Sequence, residues 1–364
     1  MMINQIKTKF SDPDFKDLVV TNVVAIIAGI LISGIMLLLI KINPVEAFSV
    51  ATASVMSDKY TFAEILVKAT PLIFTGLAFA FTYKANLFNI GAQGQFYVGT
   101  IVAAAISLSI GDVVPGFIGI IVVMALTIVA GAIYGGLIGL VKAKKGANEF
   151  LISMMSTYVA IAFMNFLLRT SLRETRGEYP QTDVIPESMR LPIIWGGTRL
   201  HLGFVLAVLT AVALWILLFK TPFGFRVRAV GNNASAAVQA GINSSKTTII
   251  TFAISGAMGA LAGFLVVNGI QYMVIQGYYA EVGALGIGIA ILANGNPIGV
   301  IFAALLFGGI QVIGIEMTMR AKTPTSFTYL MLGCVTLFVI ISYYFRRVMK
   351  INRDKKKLVD GVSK

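Results

Sequence analysis

Long apolar runs alternate along this chain with short polar segments. A helix rising 1.5 Å per residue needs about twenty apolar residues to cross a hydrocarbon core of about 30 Å. On that rule the pattern predicts spans at 18–40, at 64–83, one ending at 110, one ending at 141, then at 149–168, 201–219, 247–267, 298–315 and 327–345. A further apolar segment at 281–293 reaches only roughly 20 Å and reads as a short or broken helix. A second interruption is expected at 86–95, where amides and glycines crowd the start of the third span. Backbone polar groups must be satisfied inside lipid, so spans this long predict helices. The ten-residue alternation of a membrane β-barrel is not seen. The expected fold is therefore an all-α polytopic membrane protein with about ten transmembrane helices.

The polar segments divide the chain further. Residues 1–18 form a polar N-terminal segment, 19–345 one transmembrane domain, and 346–364 a basic tail. Residues 41–63 and 169–200 read as outer loops, the latter with Pro180, Pro186, Pro192 and a short helix. Residues 220–246 read as an inner loop. An even number of spans puts both ends on one side, and most of the 29 Lys and Arg residues then fall in the inner segments. The positive-inside rule makes that side cytoplasmic. The first span, with Ala51-Thr52-Ala53 beyond it, resembles a signal peptide, but its length predicts a retained helix. The spans split five and five, as 19–200 and 201–345. Halves with an odd number of spans, if related, are inverted with respect to each other, as is common in transporters.

Composition sharpens this picture. The chain of 364 residues is 57% hydrophobic and only 12% charged, about half the charge of a typical soluble domain. Its net charge of +13 fits cytoplasmic loops better than a nucleic-acid partner. One cysteine, Cys334, and one histidine, His201, exclude an internal disulfide and a Cys/His metal cluster. Cys334 reads as a packing residue and His201 as an interfacial one. No nucleophile–base pair points to an enzyme, and no catalytic, cofactor or metal residue is assigned.

Few ionisable groups lie between the interfaces, whereas ion-coupled carriers show buried carboxylates or histidines. The polar residues near helices are neutral: Asn86, Asn89, Gln93 and Gln95 at the third span, then Asn165, Asn268 and Gln271. Amides in lipid need partners. Either they staple helices together, or they line a path for a neutral polar solute. Gly131, Gly135 and Gly139, like Gly259 and Gly263, recur at four-residue spacing and predict close helix packing.

The inner stretch 220–246 has its own logic. Thr221-Pro222-Phe223-Gly224 reads as a helix stop, Pro ending the helix and Gly allowing the turn. Residues 225–230, with Arg226 and Arg228, predict a short basic helix. Asn233 is a suitable N-cap for an alanine-rich helix through 240, and Gly241 suits the position after its end. Such a surface could fill a partner's groove or hold anionic lipid through its arginines. No G-x-x-x-x-G-K-[ST] motif occurs, so any ATP hydrolysis must come from another chain.

Four stretches carry a resemblance: Asn86–Gln95 (NLFNIGAQGQ), Asn148-Glu149, Thr221–Gly241 (TPFGFRVRAVGNNASAAVQAG) and Gly286–Pro297 (GIGIAILANGNP). Together they resemble bacterial ABC-transporter permeases, in the nucleoside and simple-sugar branch of the family that also holds branched-chain amino-acid permeases. The resemblance implies an importer subunit in the bacterial plasma membrane that forms the path for a nucleoside. It implies a second permease chain, identical or paralogous, and an extracytoplasmic solute-binding lipoprotein or soluble protein. It also implies separate ABC ATPase subunits that bind ATP and Mg. Coupling to that ATPase would fall on Thr221, Phe223, Gly224, Arg226, Arg228, Gly231, Ala236, Ala237 and Gly241. The alternatives are a ribose- or galactose-type sugar permease and a stand-alone secondary carrier.

Overall fold

A computed structural model describes residues 13–111, 113–277 and 281–362. Most of the polar N-terminal segment, including Lys7 and Lys9, lies outside the described residues, as do Asp112, Ala280 and Lys364. The described chain is built of helices: α1 Pro13–Leu39, α2 Pro44–Ser57, α3 Lys59–Tyr83, α4 Ala92–Ile110, α5 Gly116–Lys145, α6 Glu149–Arg169, α7 Gly203–Lys220, α8 Pro222–Asn232, α9 Ala234–Gln239, α10 Ser244–Leu265, α11 Val282–Leu292, α12 Pro297–Arg320 and α13 Ser326–Val362. Among the described residues, nine helices are long and apolar enough to cross a membrane, and α11 is a shorter apolar helix. The chain is thus a multi-pass membrane protein, and the expected short segment at 281–293 is α11.

Three features differ from the sequence reading. The outer loop expected at 41–63 is mostly the helix α2, whose Ala47, Ala51 and Ser54 face inward. The second span begins early, at Lys59, because the Asp58 carboxylate accepts from the N–H groups of Tyr60 and Thr61 at 3.2 and 3.1 Å. Such an N-cap outweighs a local shortage of apolar residues. The seventh span runs on past its expected end as a π-helical turn, Val266–Gln271.

The chain forms two compact units, one of residues 1–55 and 313–364, the other of residues 56–312. In the smaller, α1 lies along α13. A Cβ on Gly29 would come within 2.8 Å of the Val335 Cα, and Asp17 pairs with Arg353 at 3.0 Å. Glu316 joins α2 to the end of α12, accepting from Ser54 and Arg320, both at 2.7 Å.

The larger unit holds the core, with α3 and α10 as its most enclosed spans. The glycine stripe of α5 seats α10: a Cβ on Gly135 would stand 2.3 Å from the Phe252 carbonyl oxygen. Gly263 of α10 meets Phe96 of α4 equally closely. The other central helix repeats the plan. Gly76 of α3 abuts Ile289 of α11 and Val300 of α12, and Gly308 of α12 meets Ile65 and Ala69 of α3. So α10 rests on α4 and α5 as α3 rests on α11 and α12.

Candidate functional site

The stretch after α7 folds as caps and a close crossing. Thr221 ends α7 and caps α8: its hydroxyl accepts from the Gly224 N–H at 3.2 Å, and Pro222 occupies the first helical turn. The expected stop after Lys220 is there, with Thr221 as the cap of α7, but no turn follows it: residues 222–224 already form the first turn of the basic helix, which is Pro222–Asn232 rather than 225–230. Proline suits that first position because the N–H it lacks would have no helical partner there. Gly224 is helical. A Cβ there would lie 2.2 Å from the Leu217 carbonyl oxygen, so its role is to let α8 fold back onto α7. Phe223 follows in the same first turn.

The alanine-rich helix forms as its caps dictate. Asn233 Oδ1 accepts from the Ala236 N–H at 3.0 Å. At the other end Gly241 takes φ +80°, its N–H bonds to the Val238 carbonyl, and the Ile242 N–H reaches the Ala237 carbonyl. This is a Schellman closure. Ala237 is buried, while Ala236 is exposed and Val238 is 56% exposed. Arg226 and Phe225 are also exposed, whereas Arg228 stacks over the Phe219 ring at 5.1 Å.

The turn after α3 meets the basic helix α8 on one side and the turn after α11 on the other. Gly231 is set against the turn after α3, where a Cβ would fall 2.3 Å from the Lys84 carbonyl oxygen. The Lys84 ammonium in turn donates to the Asn294 carbonyl at 2.8 Å, in the turn after α11. Asn86 and Asn294 both adopt positive φ, 56° and 50°, a conformation that asparagine tolerates better than most residues. Gly295 follows at φ +64° against the Tyr83 ring.

From the Lys84 turn the chain enters the core. Asn86 is exposed and precedes α4, whereas Asn89 is fully enclosed. The Asn89 amide donates to Gln95 Oε1 at 3.0 Å and Ser255 Oγ at 2.7 Å, and its oxygen accepts from the Gly91 N–H at 3.1 Å. The Ser255 hydroxyl in turn donates to the Ala78 carbonyl at 2.6 Å. Asn89 thus ties α3, α4 and α10 together. Gln93 reaches the other way and accepts from the Gly283 N–H, so the N-terminal ends of α4 and α11 meet.

The remaining expected residues stand elsewhere. Asn268 lies in the π turn, where its amide donates to Ser107 Oγ and the Met189 carbonyl at 2.8 and 2.9 Å. Its backbone carbonyl accepts from the Leu191 N–H at 2.7 Å, so the segment between α6 and α7 is laced to the π turn that follows α10. Gln271 lines a small cavity with Phe96, Tyr97, Thr100, Met164 and Met273. Asn165 is half-buried on α6. The amides therefore form two groups, one at the start of α4 and one around the π turn. Buried polar atoms remain without a protein partner in both, Gln95 Nε2 in the first and Asn268 Oδ1 in the second.

Sequence reasoning missed Ser255, Gly283 and the Lys84–Asn294 link. Ser255 carries no signal in a span rich in small residues, and Lys84 reads only as an inner charge. The burial of His201 was not legible either. The residue is 1% exposed and its Nδ1 accepts from the Gly203 N–H at 3.1 Å. Burial first, and the Arg199 charge second, hold it down to about 4. It is a neutral residue enclosed by protein just ahead of α7.

Comparison with known proteins places the chain among transporters. Residues 61–340 match the family described as branched-chain amino acid transport system / permease component. A guanosine ABC transporter permease protein of Bacillus subtilis is 31% identical, over 92% of this chain and 96% of the relative. A nucleoside ABC transporter permease protein of Lactococcus lactis subsp. cremoris is 30% identical, over 89% and 91%. A glucose ABC transporter permease protein of Haloferax volcanii is 30% identical, over 90% and 88%. No solved structure matches the chain.

Proposed function

We infer that this chain, which belongs to the family of permease components of branched-chain amino acid transport systems, forms the membrane path of an ATP-binding-cassette importer for nucleosides. The observation that carries the solute is the identity to a guanosine permease and a nucleoside permease along nearly the whole of each relative. The scarcity of charge in the spans supports a neutral polar cargo, since a bare ion would need charged partners in the membrane. Asn86, Gln93, Gln95, Asn165, Asn268 and Gln271 are the candidates for contact with that cargo, while Asn89, whose amide is taken up by Gln95, Ser255 and Gly91, holds the start of α4 in place. Their amides both donate and accept, as a nucleobase and a ribose both require.

ATP hydrolysis is assigned to a separate subunit, which binds ATP and Mg. That subunit docks on α8 and α9, where exposed Phe225, Arg226, Ala236 and Val238 offer a surface of mixed apolar and basic character. On this reading the termini are cytoplasmic, two permease chains complete the path, and a binding protein delivers solute from outside. The mass of inner Lys and Arg residues supports that orientation.

The test is uptake of labelled guanosine by cells with and without this chain, in competition with unlabelled nucleosides, glucose, ribose and leucine. Loss of guanosine uptake on deletion, with competition by nucleosides alone, is expected. A second reading, a sugar permease, is favoured by the identity to the glucose permease. Competition by glucose or ribose with no effect of nucleosides would establish that reading instead.

A further inference from the structure

Three segments far apart in sequence converge at the inner end of the larger unit, and Lys84 is where they touch. Its carbonyl oxygen lies where a Cβ on Gly231 of α8 would come within 2.3 Å. Its ammonium donates to the Asn294 carbonyl, at 2.8 Å, in the turn that ends α11. A few residues on, the same turn leads to Asn89 and Gln93, and Gln93 holds the start of α11 through the Gly283 N–H. The short helix α11 is therefore gripped at both ends by the Lys84–Gln93 segment. At its C-terminal end the grip is an ammonium on a carbonyl where the helix dipole is negative, a favourable pairing. At its N-terminal end it is an amide oxygen on a free helix N–H.

We propose that Lys84 is the positioning residue that transmits motion of α8 to α11. This rests on the reading that α8 and α9 receive an ATPase subunit. When α8 is displaced, Gly231 presses directly on the backbone of residues 84 and 85, because no side chain separates them. That turn cannot move independently of α11 while the Lys84 ammonium and the Gln93 amide hold both its ends. An eleven-residue helix is short enough to move as one body, so a shift at the docking surface becomes a tilt of α11 against α3. The work of Lys84 is to keep hydrolysis outside the membrane in register with movement inside it.

The experiment uses the full transporter, the permease co-expressed with its ATPase subunits, purified and placed in liposomes. Three quantities are read: ATPase retained with the permease, ATP hydrolysed, and labelled guanosine accumulated. In Lys84→Met the ATPase is retained and hydrolysis continues, while guanosine moved per ATP falls about tenfold, as expected for loss of one charged hydrogen bond at a hinge. Lys84→Arg, which keeps the charge and donors, restores most of that ratio. Gly231→Ala, which forces α8 off the turn without touching the ammonium, lowers the ratio in the same way. An unchanged ratio in Lys84→Met or in Gly231→Ala, with the ATPase still bound, overturns the relay and leaves the docking reading standing. A wild-type permease that retains no ATPase overturns the docking reading, and the relay with it.

Discussion

Asn89→Ala is the sharpest test of how the start of α4 is held. The side chain is fully enclosed and makes three hydrogen bonds, to Gln95, Ser255 and the Gly91 N–H. Truncation leaves Ser255 still donating to Ala78, so its loss is small. Gln95 and the Gly91 N–H are left without these partners in an enclosed place. In a soluble core two such groups would cost about 1–3 kcal/mol each. In a membrane the unfolded reference also finds partners, and measured interhelical hydrogen bonds average only about 0.6 kcal/mol. The two figures bracket an expected loss of about 1–6 kcal/mol. The assay is thermal unfolding of the detergent-solubilised protein, followed by loss of the monodisperse peak on heating. A midpoint lowered by at least about 2 °C is expected, since 1 kcal/mol moves the midpoint of a large domain by that order. Asn86→Gly, at an exposed turn with positive φ, should leave the midpoint in place. Equal midpoints for Asn89→Ala and the wild type would refute the claim that this amide fastens α3, α4 and α10.

Other perturbations separate packing from docking. Gly135→Val places a side chain on the Phe252 carbonyl and should abolish accumulation of folded protein, whereas Gly333→Val, with open space around its Cβ position, should express normally on a blot of membrane fractions. Ala236→Glu alters only an exposed position on α9 and should weaken retention of the ATPase subunit in pull-downs without lowering the melting midpoint. By contrast Gly224→Arg should lower the midpoint itself, because that Cβ site is filled by the α7 backbone. His201 is neutral when folded and titrates near 4, against an ordinary 6.5. Its stabilising effect is therefore complete above about 6.5 and lost as pH falls toward 4, by up to about 3 kcal/mol. Between pH 7 and 4 the melting midpoint should drop less in His201→Gln than in the wild type.

Hydropathy alone determined the class of this protein and most of its spans. Burying polar backbone in lipid leaves a chain of this composition no choice but helices, and length decides which of them can cross. Local rules also sufficed for α9, because Asn233 and Gly241 satisfy the helix ends within a few residues of themselves. The same locality explains the errors. At Thr221-Pro222 the sequence shows a stop, but not that the next helix starts at once, which depends on Gly224 letting α8 fold back onto α7. Residues 41–63 are too polar to read as a span, yet a helix forms there because Ala47, Ala51 and Ser54 find a face to cover. His201 has no sequence signal for burial, since what buries it is the approach of Gly203 and Gly269. The glycine stripes announced close contact but not with whom. The pairing of α5 with α10, and of α3 with α11 and α12, depends on which surfaces fit across long separations in sequence. So does the meeting of Lys84, Gly231 and Asn294. Each is unremarkable in its own segment, and only the tertiary structure brings a carbonyl, a missing side chain and an ammonium to one point.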